Sequence, residues 1–127
     1  MLLTIDPADS RPMYQQIADG VRALIASGGL KEGVLLPPVR QLANDLGVNL
    51  NTVATAYREL QDEGLLVIRP GAGCVVAARK VSGVQSATLR KPLRSALVQF
   101  VLAGLSPKQI RSIVDQELHK LVKEGKL

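Results

Sequence analysis

Polar residues between positions 49 and 58 have the spacing of one helix face. Asn51, Thr55 and Arg58 recur at intervals of three or four residues, and Thr52 lies beside Asn51. Short amides and hydroxyls can hydrogen-bond base edges in a major groove, which is wide enough for one helix. Asn49 stands just before this run and is a favourable N-cap. The spacing predicts that these five residues form a DNA-contacting surface.

Further candidate DNA contacts lie on both sides of this helix. Arg40 belongs to the preceding predicted helix, and Arg69 opens the segment Arg69-Pro70-Gly71-Ala72-Gly73. Both arginines can neutralise phosphates that flank a reading helix. Gly71 and Gly73 allow a turn backbone to approach the minor groove closely. Positive φ in a hairpin is an equally good reason for glycine at these two positions.

Structural alternatives exist for the polar candidates as well. Arg40 can be an ordinary solvated helix residue. Asn51 and Thr52 are also residue types that favour the first turn of a helix, whatever the function of that helix. Arg58 can pair with Asp62, which follows it by four residues.

Catalysis and metal binding find little support among the residues. There is no His-based dyad, no pair of carboxylates on one helix face and no phosphate-cradling glycine loop. A single histidine, His119, and a single cysteine, Cys74, do not make a metal site. We interpret Cys74 as a small strand residue and His119 as a solvated side chain. We therefore expect no enzyme activity, no metal and no cofactor.

The composition predicts a small cytoplasmic protein with an aliphatic core. Of 127 residues, 46% are hydrophobic but only 2% are aromatic. The single cysteine fits a reducing compartment, and no apolar stretch reaches the roughly 18 residues of a membrane-spanning helix. Residues 1–78 contain six Lys and Arg against eight Asp and Glu, whereas residues 79–127 contain ten against three. A basic second part is compatible with a nucleic-acid partner.

The periodicity predicts a mostly α protein with a small β-hairpin. Three helices begin near Pro12, after Pro37-Pro38 and after Asn49, and strands Leu65–Ile68 and Cys74–Ala77 follow. This order is that of a winged helix-turn-helix. The predicted inward-facing residues are Tyr14, Ile17, Ala18, Val21, Leu24 and Ile25 in the first helix, Val39, Leu42, Ala43 and Leu46 in the second, and Val53, Ala56, Tyr57 and Leu60 in the third.

The pattern of apolar residues in the last third of the chain predicts two helices. Leu93–Ala103 is apolar around most of its circumference, so one small core cannot bury it. Ser106 and Gln109 have the form of a capping box for the final helix, whose apolar residues we expect to be buried. We predict a homodimer held by Leu93, Leu97, Phe100, Val101, Ile110, Ile113, Val114, Leu118 and Leu121.

This pattern predicts a DNA-binding domain over residues 1–78, a linker over 79–91 and a helical dimerisation segment over 92–127. A helix that already begins near Thr88 is the alternative for the end of the linker. The linker carries most of a basic run. We interpret that run as a solvated linker, with electrostatic tracking of DNA beside the operator as the alternative. The run is Arg79, Lys80, Arg90, Lys91 and Arg94.

Several motifs, taken together, resemble the GntR family of bacterial regulators. They are Arg11–Ile17, Leu36–Ala43, the stretch from Leu46 through Val53 on to Leu60, and the turn Arg69–Gly73. They occur in the family's order and spacing and cover about half of the chain. The short helical remainder is similar to that of the YtrA-type subfamily, in which such a tail dimerises. Pro38 stands here where the family usually has a capping serine.

The resemblance implies a homodimer that binds a pseudo-palindromic operator in double-stranded DNA, usually as a repressor. The alternative is a protein-interaction module on a winged-helix scaffold, which the acidic balance of residues 1–78 favours. The residues after position 78 are too few to enclose a ligand cavity within one protomer. A small-molecule effector is therefore an open question, with sites between protomers or between tail and winged helix as the candidates.

Overall fold

The computed structural model describes residues 3–78 and 86–125. Five helices and one antiparallel hairpin lie within these ranges, in the order that the periodicity predicts. The elements are α1 (Met13–Ser27), α2 (Val39–Leu46), α3 (Leu50–Asp62), β1 (Leu66–Arg69), β2 (Gly73–Val76), α4 (Ser86–Leu102) and α5 (Pro107–Gly125). The three helices of the winged helix-turn-helix begin where the sequence predicts, and both strands are displaced by one residue from their predicted positions.

One aliphatic core holds the first 78 residues together. Helix α3 packs against both α1 and α2, and β1 packs against α3. Ile17, Val21, Val53 and Leu60 are fully excluded from solvent at the centre of this core. The predicted inward stripes of α1, α2 and α3 are confirmed, because every member is either buried or packed against the buried cluster.

A network of ion pairs fastens α1 to the C-terminal end of α3. The guanidinium of Arg22 donates to Asp19 Oδ1 at 2.7 Å, to Glu59 Oε2 at 2.9 Å and to Glu63 Oε1 at 2.9 Å. Hydrogen bonding from Arg22 lowers the pKa of Glu63. Carboxylates are unfavourable at a helix C-terminus, so Arg22 offsets a cost that Glu59 and Glu63 would otherwise bring.

Glu63→Gln is expected to lower the free energy of unfolding by no more than about 1 kcal/mol at pH 7, because the pair is partly exposed. The pKa of Glu63 is lower in the folded than in the unfolded chain, so its contribution is present above the ordinary glutamate pKa of about 4.3. This contribution to stability disappears as the pH falls through the pKa that Glu63 has in the folded chain. Urea unfolding of the wild type and of Glu63→Gln at pH 7 and pH 3 measures the difference in their free energies of unfolding. Glu32→Gln serves as a control, since Glu32 makes no ion pair within the described ranges. An equal Glu63→Gln effect at both pH values contradicts the prediction.

The hairpin is a two-stranded antiparallel ladder closed by a tight turn. Ala72 N donates to Arg69 O at 3.0 Å, Pro70 takes the second position and Gly71 the third with φ of 80°. This geometry is that of a type II turn, which requires positive φ at its third residue. The interpretation of Gly71 and Gly73 as positive-φ residues is confirmed, since Gly73 has φ of 111°.

A third segment extends this sheet. Residues 33–36, for which the periodicity predicts neither helix nor strand, run antiparallel to β2 and form a bridge between Leu35 and Val75. Leu36 N donates to Cys74 O at 2.8 Å, and Val76 N donates to Val34 O at 3.0 Å. The loop before α2 is therefore tied to the hairpin, and with it the start of the helix-turn-helix.

Helices α4 and α5 differ from the prediction in two respects. Residues 86–91, predicted to be part of the linker, form the first turns of α4, so the alternative of a helix start near Thr88 is closer to the structure. Pro92 lies inside that helix, and residues 79–85 of the expected linker lie outside the described residues. The expectation that the apolar residues of α5 are buried is wrong for this chain alone: Ile110 is 8% exposed, but Leu118 is 52% exposed. A helix that buries one face needs a covering surface, and α1 covers only part of α5.

The capping box at the start of α5 is confirmed. Ser106 N donates to Gln109 Oε1 at 2.8 Å, and Gln109 N donates to Ser106 Oγ at 3.2 Å. This reciprocal pair fixes where α5 begins after the turn at Gly104. Among the helices of the described ranges, none is both long and apolar enough to cross a membrane.

Candidate nucleic-acid interface

The outward face of α3 presents the predicted polar residues. Asn49 is the N-cap, and its Oδ1 accepts a hydrogen bond from Asn51 N at 2.8 Å. The Asn51 side chain takes no part in this cap and is exposed on the surface. Thr52 and Thr55 are half-buried on the same side, and Arg58 is exposed one turn further along.

A buried tyrosine sets the position of α3 relative to α2. Tyr57 is 3% exposed, and its hydroxyl donates to Pro37 O at 2.8 Å. Burial raises the pKa of Tyr57. The turn between the helices contains Gly47 with φ of 68°, and Val48 N donates to Ala43 O at 3.0 Å. The interpretation of Tyr57 as a core residue is confirmed, and it also ties the two helices together.

Three exposed arginines surround the polar face. Arg40 lies in the first turn of α2, Arg58 lies on α3 and Arg69 ends β1. Within residues 3–78 and 86–125, none of the three makes an ion pair. The alternative in which Arg58 pairs with Asp62 is therefore not found. All three guanidinium groups are available to an anionic partner.

The start of α2 adds backbone donors to this surface. Pro38 is the N-cap and supplies no side-chain hydrogen bond. The amides of the first helical turn, where Arg40 lies, have no partner within the helix. Uncapped amides and the positive end of the helix dipole favour a nearby anion such as a phosphate.

Cys74 and His119 lie outside this surface. Cys74 is half-buried on β2, and burial raises the pKa of its thiol, so the reactive thiolate is disfavoured. The interpretation of Cys74 as a strand residue is confirmed. His119 is exposed on α5, as expected.

The predicted dimerisation residues form an apolar groove. Leu93, Leu97 and Val101 of α4 face Ile110 and Val114 of α5 across a cleft of about 530 Å³. Phe100 and Ile113 are half-buried, while Leu118 and Leu121 are exposed further along α5. The structure thus brings most of this set together on one surface.

Three features of the site were missed by sequence reasoning. They are the packing of α5 on α1, the pairing of residues 33–36 with β2, and an apolar cleft of about 430 Å³ between α3 and the hairpin. Residues 33–36 show no alternation of apolar and polar side chains that would have indicated the second. Nothing local in the sequence indicates the other two.

The surface can be compared with known proteins. A profile described as "Bacterial regulatory proteins, gntR family" matches residues 13–76. The HTH-type transcriptional repressor YtrA of Bacillus subtilis (strain 168) is 31% identical, over 98% of this chain and 98% of that protein.

Two solved structures are also similar. A crystal structure of a transcriptional antiterminator from Listeria monocytogenes EGD-e has a TM-score of 0.86 at 26% identity, and covers 96% of this chain and 93% of that one. The structure of AraR(DBD) in complex with operator ORX1 has a TM-score of 0.52 at 26% identity, and covers 61% of this chain and 95% of that one.

Proposed function

The chain belongs to the GntR family of bacterial regulatory proteins, and from this premise we propose that it is a homodimeric repressor of a pseudo-palindromic operator. Its fold is a DNA-binding winged helix, and it is a transcriptional regulator and not an enzyme. Repression is supported by the relative that matches along its whole length, which is named a transcriptional repressor. We place its action in the cytoplasm, with the chromosome.

Helix α3 reads bases in the major groove in this proposal. Asn51 has its amide free, since Asn49 provides the cap. An amide can form a bidentate pair with adenine, and the half-buried Thr52 and Thr55 can offer a hydroxyl to phosphate or a methyl to thymine. This exposed polar face, flanked by three unpaired arginines in the described chain, is the observation that carries the proposal.

The flanking contacts go to the DNA backbone. Arg40 and the uncapped amides of α2 are suited to one phosphate cluster, and Arg58 and Arg69 to others. The hairpin turn, with glycine at positions 71 and 73, is exposed and narrow enough to approach the minor groove. Glu59 and Glu63 are held by Arg22, so the acidic balance of residues 1–78 is partly neutralised away from this face.

The groove between α4 and α5 supports the dimer. Val101 is 61% exposed and Leu93 is 52% exposed along its α4 wall. Exposed apolar patches on a regulator mark an interaction site, and a two-fold dimer repeats the same patch on both subunits. Two such α3 helices then require two half-sites about one helical turn apart, or a multiple of it.

Arg40→Ala is expected to weaken binding to every DNA sequence alike. Removing one phosphate contact lowers the slope of log affinity against log salt by about one unit. Fluorescence anisotropy with a duplex selected from a random library, and with an unselected duplex, measures both quantities across a salt series.

Lys31→Ala is the matched control for charge loss, because Lys31 lies at the opposite end of the hairpin beside Val76 and Ala77. It should leave the slope unchanged. If the wild-type protein gives no salt-sensitive binding to any selected duplex, the proposed function fails and a protein-interaction module becomes the better interpretation.

A further inference from the structure

An apolar cleft of about 430 Å³ separates α3 from the hairpin. Its walls come from three elements: Leu35 precedes α2, Ala54 and Tyr57 lie on α3, and Ile68 and Cys74 lie on the strands. The volume falls within the roughly 300–1,000 Å³ of small-molecule sites. Leu35 is 56% exposed and Ile68 is 62% exposed, so the described residues leave much of these two walls uncovered.

A few polar groups converge on this apolar surface. Arg58 and Gln61, both on α3, belong to the lining of the cleft. Arg58 has no carboxylate partner among residues 3–78 and 86–125. An apolar cleft that has one arginine without an ion pair in its lining suits a ligand that has an apolar body and one negative group.

The walls of the cleft are held in place. Tyr57 is fixed by its hydrogen bond to Pro37 O, and residues 33–36 are fixed by pairing with β2. Gly73, whose φ of 111° favours glycine, lies beside the Leu35 side chain in the wall of the cleft. A pre-formed site of this kind binds without a large ordering cost.

We propose that this cleft binds a small monocarboxylate with an aliphatic or aromatic body, and that the bound carboxylate pairs with Arg58. This rests on the proposed function, because Arg58 and the hairpin are also proposed to contact DNA. A ligand that occupies Arg58 and lies between α3 and the hairpin therefore competes with the operator. The ligand acts as an inducer that releases the repressor.

Other occupants fit the cleft less well. A DNA backbone is anionic and hydrated, so it gains nothing from the aliphatic walls of Leu35 and Ile68. A second copy of this chain has another apolar surface to cover, the groove between α4 and α5. Both occupants are outcomes that the experiment below distinguishes.

The single cysteine of the chain provides a reporter inside the cleft. Cys74 lines the wall, so its rate of alkylation by N-ethylmaleimide falls when the cleft is filled. We would measure this rate for the full chain without DNA, in the presence of isovalerate, hexanoate, benzoate and phenylacetate, and of the neutral amide of each.

At least one carboxylate is expected to slow alkylation threefold or more in a saturable way, and its amide is expected to do so much less. Arg58→Gln should abolish the protection, whereas Arg40→Gln, which removes an exposed arginine outside the cleft, should retain it. The proposal is overturned if no carboxylate protects Cys74, if the amides protect equally, or if Arg58→Gln is protected like the wild type. Protection that depends on protein concentration instead assigns the cleft to a second copy, and also overturns it.

Binding to DNA is measured in a separate experiment. Affinity for the selected duplex without ligand tests the proposed function alone, and alkylation without DNA tests the cleft alone. The protecting carboxylate is expected to raise the Kd for that duplex several-fold. Protection of Cys74 with an unchanged Kd overturns the inducer role, and protection of Cys74 by the duplex itself, with the Kd unmoved by carboxylates, assigns the cleft to DNA.

Discussion

The double variant Leu93→Glu/Val101→Glu is expected to be monomeric and to bind the operator about 10²–10⁴-fold more weakly than the wild type. Both side chains lie on the α4 wall of the groove and are more than half exposed in the single chain. Charged residues there do not disturb the core of residues 3–78, but they would be buried against a partner subunit at a high desolvation cost. A monomer contacts only one half-site and loses the gain in affinity from bivalent binding. This gain accounts for the expected difference of about 10²–10⁴-fold.

Sedimentation equilibrium and operator titration measure the two parts of this prediction. Ser95→Glu/Gln99→Glu is the matched control, since it adds the same charges to exposed positions of α4 that do not line the groove. The control should remain dimeric and bind normally. A groove variant that stays dimeric, or a monomeric variant with undiminished affinity for a full operator, contradicts the proposed arrangement.

The winged helix was largely predictable because its signals are local. The inward stripes of α1 and α3 follow from a period of 3.6, and Asn49, the turn glycines and the Ser106–Gln109 box each act within a few residues. The family resemblance inferred from the motifs is also confirmed, over residues 13–76. For such features, the chemistry of a short stretch decides its backbone conformation.

Long-range features could not be predicted in the same way. The packing of α5 on α1 joins segments far apart in the sequence, and each helix has an apolar face that could equally pack elsewhere. Residues 33–36 have no strand-like alternation of their own and pair only because β2 lies beside them. The cleft beside Tyr57 is likewise a product of three elements meeting, none of which carries a ligand motif.

The candidate DNA contacts fall between these cases. Periodicity placed Asn51, Thr55 and Arg58 on one face, and the structure does so too. Which atoms remain available was not predictable, because it depends on partners. The Asn49 amide is engaged as a cap, while the side chains of Asn51 and Arg58 have no partner in the described chain. Side chains without a partner, such as Asn51 and Arg58, are therefore the candidates for DNA contact, whereas Asn49 stabilises the helix.

Asn51→Ala is expected to weaken binding to the selected duplex by about 1–3 kcal/mol, or roughly 5- to 150-fold, and to leave binding to unselected DNA unchanged. A bidentate amide–base pair discriminates by this amount, whereas phosphate contacts carry no sequence information. The folded state should not suffer, because Asn49 provides the cap and alanine is a good helix former. Selection of binding sites by the variant should show relaxed preference at one base pair in each half-site.

Asn44→Ala, the same change at an exposed position of α2, is the control and should alter neither affinity nor preference. Asn49→Ala makes a useful contrast, since it removes the cap and should cost about 1 kcal/mol of stability. If Asn51→Ala lowers affinity for selected and unselected DNA equally, then Asn51 contacts the backbone and base reading must come from Thr52, Thr55 or Arg58. The proposal assigns sequence recognition to α3 and phosphate contacts to the flanking arginines. It requires a larger loss of affinity for selected than for unselected DNA, because a surface that contacts only phosphates cannot distinguish one operator from another.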